Sequence, residues 1–122
     1  MAPGGAAVPE IKVVQGSERI SRVVLRSVVE AVCPLTGLVD RYDVAVEYGP
    51  GPEGLYVEAY GFQEYLESFR GKKIYQEDLV ARIAHDVCKA ARPRWVRVTL
   101  VGTHGSVEIE TEYHLDCGEA RD

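Results

Sequence analysis

Cys33 closes a run of apolar, mostly β-branched residues (Val28, Val29, Ala31, Val32) and is followed at once by Pro34, Leu35, Thr36 and Gly37, with Asp40 just beyond. A thiol acts as a nucleophile only when a neighbour holds or moves a proton for it. Asp40, folded back across a tight Pro/Gly turn, can supply that neighbour. The competing reading of the same residues is a buried cysteine beside a turn. The other two cysteines, Cys88 and Cys117, invite less chemistry. The three are odd in number and widely spaced, with no C-x-x-C pair, so no disulfide framework is expected and a reducing cytoplasm is the simplest compartment. Cys88 reads as packing on the core face of a helix, and Cys117 is assigned no role.

The histidines carry no clear site. His85 lies on the polar side of a helix, His104 sits in a turn between two strands and reads as surface, with a substrate-facing role as the alternative, and His114 is near a frayed end. No cluster has metal-ligand spacing and no Gly-rich phosphate fingerprint is present, so neither a metal nor a cofactor is expected. Trp95 opens a strand and reads as packing.

A chain of 122 residues makes one domain with one modest core. The net charge of −5 argues against nucleic-acid binding through overall basicity. Two local basic groups remain, Arg70 with Lys72 and Lys73, and Arg92 with Arg94 and Arg97. No apolar run approaches the roughly 20 residues that span a bilayer, and Met1 to Pro9 lacks the pattern of a secretory signal.

The elements that must position Cys33 and Asp40 follow from periodicity. Arg22 to Val32 is rich in β-branched residues and predicts a strand. Tyr42, Val44, Val46 and Tyr48 alternate with polar positions and predict a second. Gly49 to Gly54 breaks the chain, and Leu55 to Glu58 reads as a short extended lead-in. Phe62, Tyr65, Leu66 and Phe69 form the stripe of a helix ended by Gly71. A second helix starts near Gln76, with Glu77 and Asp78 at the positive end of its dipole, and stops at Pro93. Val96, Val98 and Leu100, then Val107, Ile109, Thr111 and Tyr113, predict two further strands. The expected fold class is α+β, an antiparallel four-stranded sheet with two helices on one face. Its open edges predict assembly into a homo-oligomer. Residues 1–21 are read as a flexible leader and lead-in, 22–114 as a single catalytic domain, and 115–122 as a polar tail.

Three motifs carry a family resemblance: Cys33-Pro34-Leu35-Thr36-Gly37 followed by Asp40, then Ser68-Phe69-Arg70, then Gln76-Glu77-Asp78. Together they resemble the QueF family of tunnelling-fold (T-fold) enzymes, which act on the nitrile of 7-cyano-7-deazaguanine. The resemblance covers roughly Arg22 to Tyr113 and implies the T-fold order ββααββ and pentameric rings that can stack into decamers. It implies Cys33 as the nucleophile that forms a covalent thioimide and Asp40 as the acid that protonates the nitrile nitrogen. It further implies Glu77 as the carboxylate anchoring the deazaguanine ring and Glu58 as a second carboxylate lining the base pocket.

The departures from the family pattern are informative. The family's NADPH-dependent reductases carry Glu-Ser-Lys-Ser-Leu-Lys where this chain has Glu58-Ala59-Tyr60-Gly61-Phe62-Gln63, so both lysines are replaced, by Tyr60 and Gln63. The family histidine beside the anchoring glutamate is Gln76 here. This pattern resembles the archaeal QueF-like branch, which acts on tRNA bearing 7-cyano-7-deazaguanine and resolves the thioimide with ammonia, giving the formamidine of archaeosine without a cofactor. The alternatives are an NADPH-dependent nitrile reductase and a T-fold ring that binds a purine or pterin without this chemistry.

Overall fold

The computed structural model describes residues 8–120. In chain order the elements are β1 (Val13–Gln15), β2 (Val23–Val32), β3 (Val39–Gly49), β4 (Leu55–Val57), α1 (Ala59–Glu67), α2 (Gln76–Ala91), β5 (Trp95–His104), β6 (Val107–Asp116) and α3 (Cys117–Ala120). The long strands form one antiparallel sheet in the order β2-β3-β5-β6, and β1 pairs with β4 in a separate two-stranded ribbon. The expected strand, strand, helix, helix, strand, strand order therefore holds for the main sheet and its two helices.

Period-two alternation decides which face is covered. Tyr42, Val44, Val46 and Tyr48 of β3 lie beside Val96, Val98 and Leu100 of β5, all buried. The helices lie over this face. α1 buries Phe62, Tyr65 and Leu66, and α2 buries Leu79, Val80, Ile83, Ala84, Val87, Cys88 and Ala91. The opposite face carries the alternate residues, among them Glu47, which is clamped between Arg22 and Arg97. Those two guanidiniums, Arg97 first, hold the Glu47 carboxyl below the usual carboxylate range.

Two expectations need revision. α1 begins at Ala59, three residues before the apolar stripe at Phe62, because Glu58 caps it: its carboxylate accepts from the Tyr60 amide at 2.9 Å and the Gly61 amide at 2.7 Å. This satisfies two of the helix's orphan donors and lowers the Glu58 pKa. The lead-in, in turn, is built into the fold where it is described. β1 pairs residue for residue with β4, and Ile11 is only 5% exposed. The first seven residues lie outside the described part.

The disulfide is the larger correction. Cys88 and Cys117, expected to be unpaired, form one, with Cα atoms 5.3 Å apart. The core face of α2 brings Cys88 to the end of the sheet where β6 runs out, and the Cys117 amide donates to Arg94 O at 3.1 Å. Sequence spacing could not report this, since the two are 29 residues apart and meet only when α2 packs. Closing a loop of this size restricts the unfolded chain by roughly 3.5 kcal/mol. Cys117→Ser should therefore lower the unfolding free energy by about 2–4 kcal/mol, read from urea denaturation. The wild type should show the same loss under reductant, and equal midpoints would remove the bridge from the stability account.

Candidate active site

The β2–β3 hairpin turn is closed by the Cys33 amide donating to Leu38 O and the Gly37 amide donating to Cys33 O, both at 2.9 Å. Gly37 takes φ +75°, which its lack of a Cβ permits. Thr36 Oγ1 accepts from the Leu38 amide at 3.2 Å. This turn wraps the Cys33 sulfur in donors. The Thr36 hydroxyl first, and then the Thr36 and Leu35 amides, pull the thiol pKa down, while slight burial and the Asp40 charge oppose them. The donors win, so Cys33 holds its thiolate at lower pH than an ordinary cysteine. The rate of Cys33 alkylation should fall only as pH drops through this lowered pKa. Thr36→Val should move that midpoint upward, and an unmoved alkylation profile would mean the hydroxyl does not hold the sulfur.

Asp40 pairs directly with Ala31 across the hairpin, two residues before the thiol. It is half-buried and held on both sides. The Tyr42 hydroxyl donates to Asp40 Oδ2 at 3.2 Å, and His104 Nδ1 lies 3.4 Å from Oδ1. Burial first, then the charge of Asp40, raises the Tyr42 pKa far above its ordinary value, so this phenol is a fixed donor. Gly102 sits opposite Tyr42 in the ladder, and a Cβ there would overlap the tyrosine ring.

α2 reaches the same end of the sheet. The residues before it are stitched to the last residue of β2, with the Val32 amide donating to Lys72 O at 2.8 Å and the Ile74 amide donating to Val32 O at 3.1 Å. Glu77 is therefore exposed beside the hairpin, near enough that its charge acts on Tyr42. Its neighbour Gln76 is 2% exposed and bonds to β5 and β6. Cys33, Asp40, Tyr42, Glu77, Gln76 and His104 thus converge on one end of the sheet.

Glu58 does not join them within a single chain. It follows β4, whose Val57 amide donates to the Tyr48 hydroxyl at 2.9 Å. Tyr48 lies eight residues along β3 from Asp40, roughly 25 Å at strand rise. His104 corrects another expectation. It is not a surface turn residue but the inward end of β5, half-buried and bonded to Gln76. The basic groups are partly neutralised: Arg70 lies 3.7 Å from Glu30, Arg92 lies 3.6 Å from Glu53, and Arg97 lies 2.5 Å from Glu47. Among the described residues no group of three or more His, Cys, Asp or Glu could hold a metal, and no helix is long and apolar enough to cross a membrane.

An antiparallel four-stranded sheet in the order ββααββ, both helices on one face and a thiol and a carboxylate at one hairpin, defines a domain of the tunnelling-fold class. A family model described as QueF-like protein matches residues 40–116. The chain is 35% identical over 94 residues to an archaeosine synthase of Pyrobaculum calidifontis, covering 77% of this chain and 84% of that one. It is 36% identical over 85 residues to an NADPH-dependent 7-cyano-7-deazaguanine reductase of Syntrophus aciditrophicus, covering 67% of this chain but only 59% of the reductase. The crystal structure of the archaeosine synthase QueF-Like in its apo form superimposes with a TM-score of 0.75 at 31% identity, covering 80% of this chain and 95% of that one. The chain belongs to the QueF-like protein family.

Proposed function

We propose that this protein is an amidine-forming archaeosine synthase, which converts the nitrile of 7-cyano-7-deazaguanine in tRNA to a formamidine with ammonia. The Cys33 thiolate adds to the nitrile carbon, and Asp40 delivers a proton to the nitrile nitrogen as the thioimide forms. A nitrile is a weak electrophile, so a soft nucleophile and a positioned acid act on both atoms of the bond together. Glu77 accepts two parallel N–H bonds from the guanine-like edge of the base. Ammonia then adds to the thioimide carbon, and Cys33 leaves as thiolate.

The observation that carries the choice of ammonia over hydride lies at the start of α1, where Tyr60 and Gln63 stand in place of the two reductase lysines. In this chain a Cβ on Gly61 would come 2.8 Å from Lys12 Cβ and 3.1 Å from Glu58 Oε1. The segment leading into β1 thus leaves no room for a side chain at Gly61, and neither Tyr60 nor Gln63 brings the positive charge that would grip a cofactor phosphate. Glu58 spends its carboxylate on the same helix end and lies far from its own Cys33, so its role as a second pocket carboxylate requires a second copy of the chain. The outer strands β2 and β6 supply edges for such a homo-oligomer, up to pentameric rings and decamers. The cytoplasm, where tRNA is modified, is the compartment this reading assigns.

The test mixes the protein with tRNA carrying the 7-cyano-7-deazaguanine base and either ammonium or NADPH, and reads the nucleosides by mass spectrometry. A gain of one ammonia with ammonium alone is expected. A gain of four hydrogens, seen only with NADPH, would overturn the reading and make the protein a nitrile reductase.

A further inference from the structure

Gln76 is a buried polar side chain, only 2% exposed, and its orientation is fixed. Its Nε2 donates to Leu100 O at 3.0 Å, to Ile109 O at 3.1 Å and to Thr111 Oγ1 at 3.1 Å. Two of these partners are carbonyls, which can only accept, so the amide nitrogen must face them. The amide oxygen is therefore the atom that faces His104 Nε2, at 3.3 Å. An amide oxygen carries no proton, so the proton in that bond sits on Nε2.

This leaves His104 Nδ1 facing Asp40 Oδ1 at 3.4 Å. A bare nitrogen lone pair against a bare carboxylate would repel. One proton between them turns the contact into a hydrogen bond, whether drawn as imidazolium and carboxylate or as imidazole and carboxylic acid. We infer that His104, set by Gln76, shares a single proton with Asp40, and that this pair stores the proton for both halves of the reaction. The inference rests on the function proposed above and assigns Gln76 and His104 as positioning residues acting through Asp40.

The proton balance closes. In the first half the sulfur–carbon bond forms, one nitrile π bond breaks, and the nitrogen takes the proton from Asp40, emptying the pair. In the second half ammonium, the prevailing form at neutral pH, must lose a proton before its nitrogen can attack. The emptied pair accepts that proton. Ammonia adds, the carbon–sulfur bond breaks, and the products are a protonated amidine, the Cys33 thiolate and a refilled pair. The other titratable groups facing the pair are Tyr42 on β3, Cys33 in the hairpin turn and Glu77 on α2, while β6 contributes only the uncharged Thr111 hydroxyl.

Two measurements decide it. In wild-type protein with 15N-labelled histidine, the His104 signals are assigned by their loss in His104→Asn. Near neutral pH, Nε2 should carry a proton and Nδ1 should resonate as bonded or protonated. A bare Nε2, or an Nδ1 with the signature of a free lone pair, overturns the inference. The second measurement follows Cys33 adduct formation by intact mass, from pH 5 to 8, in wild type and His104→Asn. Without the imidazole the carboxylate has no partner to share its proton, so the variant should be at least tenfold slower near neutrality, with the deficit shrinking toward pH 5 as acid resupplies the proton. A deficit constant across pH, or none, overturns the inference, since a merely structural role would not track acid. Wild-type protein that forms no adduct at all would instead count against the proposed function, and the nitrogen signals would still decide where the proton lies.

Discussion

Replacing Cys33 with Ala should abolish the covalent adduct and reduce turnover by on the order of 10⁴-fold or more, in line with the loss of a nucleophile from other covalent enzymes. The side chain is only partly buried and packs in a turn, so folding should survive. Binding of the nitrile base should also survive, because the anchor proposed for it, Glu77, lies on α2. Asp40→Asn should retain the thiolate and still bind, yet form adduct about 10²- to 10⁴-fold more slowly, the usual range for losing a general acid. An alanine variant that still gained the mass of substrate would move the nucleophile elsewhere and leave Cys33 as a turn residue. An unchanged rate in Asp40→Asn would assign the proton to another donor, and Tyr42 is the nearest.

Glu77→Ala should produce the second large effect, a fall of roughly 10²- to 10³-fold in kcat/KM. Charge-assisted hydrogen bonds are about twice as strong as neutral ones, and the carboxylate is asked to make two side by side. Glu77 is exposed in the first turn of α2 and makes no packing contact that the core depends on. Its loss should leave the melting temperature nearly unchanged. Glu77→Gln separates charge from shape. An amide keeps one acceptor but presents a donor where the second acceptor stood, so it should recover little of the loss. Steady-state kinetics with nitrile-bearing tRNA read both variants. A large drop in stability with little change in kcat/KM would reduce Glu77 to a helix-dipole partner.

Much of this was legible because the sheet is amphipathic in strict register. The alternation at Val96, Val98 and Leu100 and the 3.6-residue stripe of α2 fix the covered face without any structure. The same parity, extended past Gly102, already pointed His104 inward. That signal was lost behind the Gly-Thr-His-Gly pattern, which reads as a turn. The partners of Gln76 were invisible, because they depend on β5 and β6 lying side by side under the start of α2. β1 escaped notice because three residues are too few to show alternation. The first turn of α1 escaped because a glutamate, rather than Ser, Thr, Asp or Asn, supplies the cap. Glu58 and Cys33 fall at opposite ends of the sheet, and a motif match along the chain cannot report that distance.

The disulfide has a consequence for handling the protein. With Cys88 and Cys117 joined, Cys33 is the only free thiol among the described residues. The bridge anchors beside Arg94 at the start of β5, whereas the Cys33 cluster gathers at His104, the far end of that ten-residue strand. Roughly 30 Å at strand rise separates the two, too far for thiol–disulfide scrambling within one chain. Every native molecule thus offers a single addressable thiol. A maleimide dye or crosslinker would mark each copy once, at its reactive hairpin, and an assembly would report its number of subunits as a count of labels.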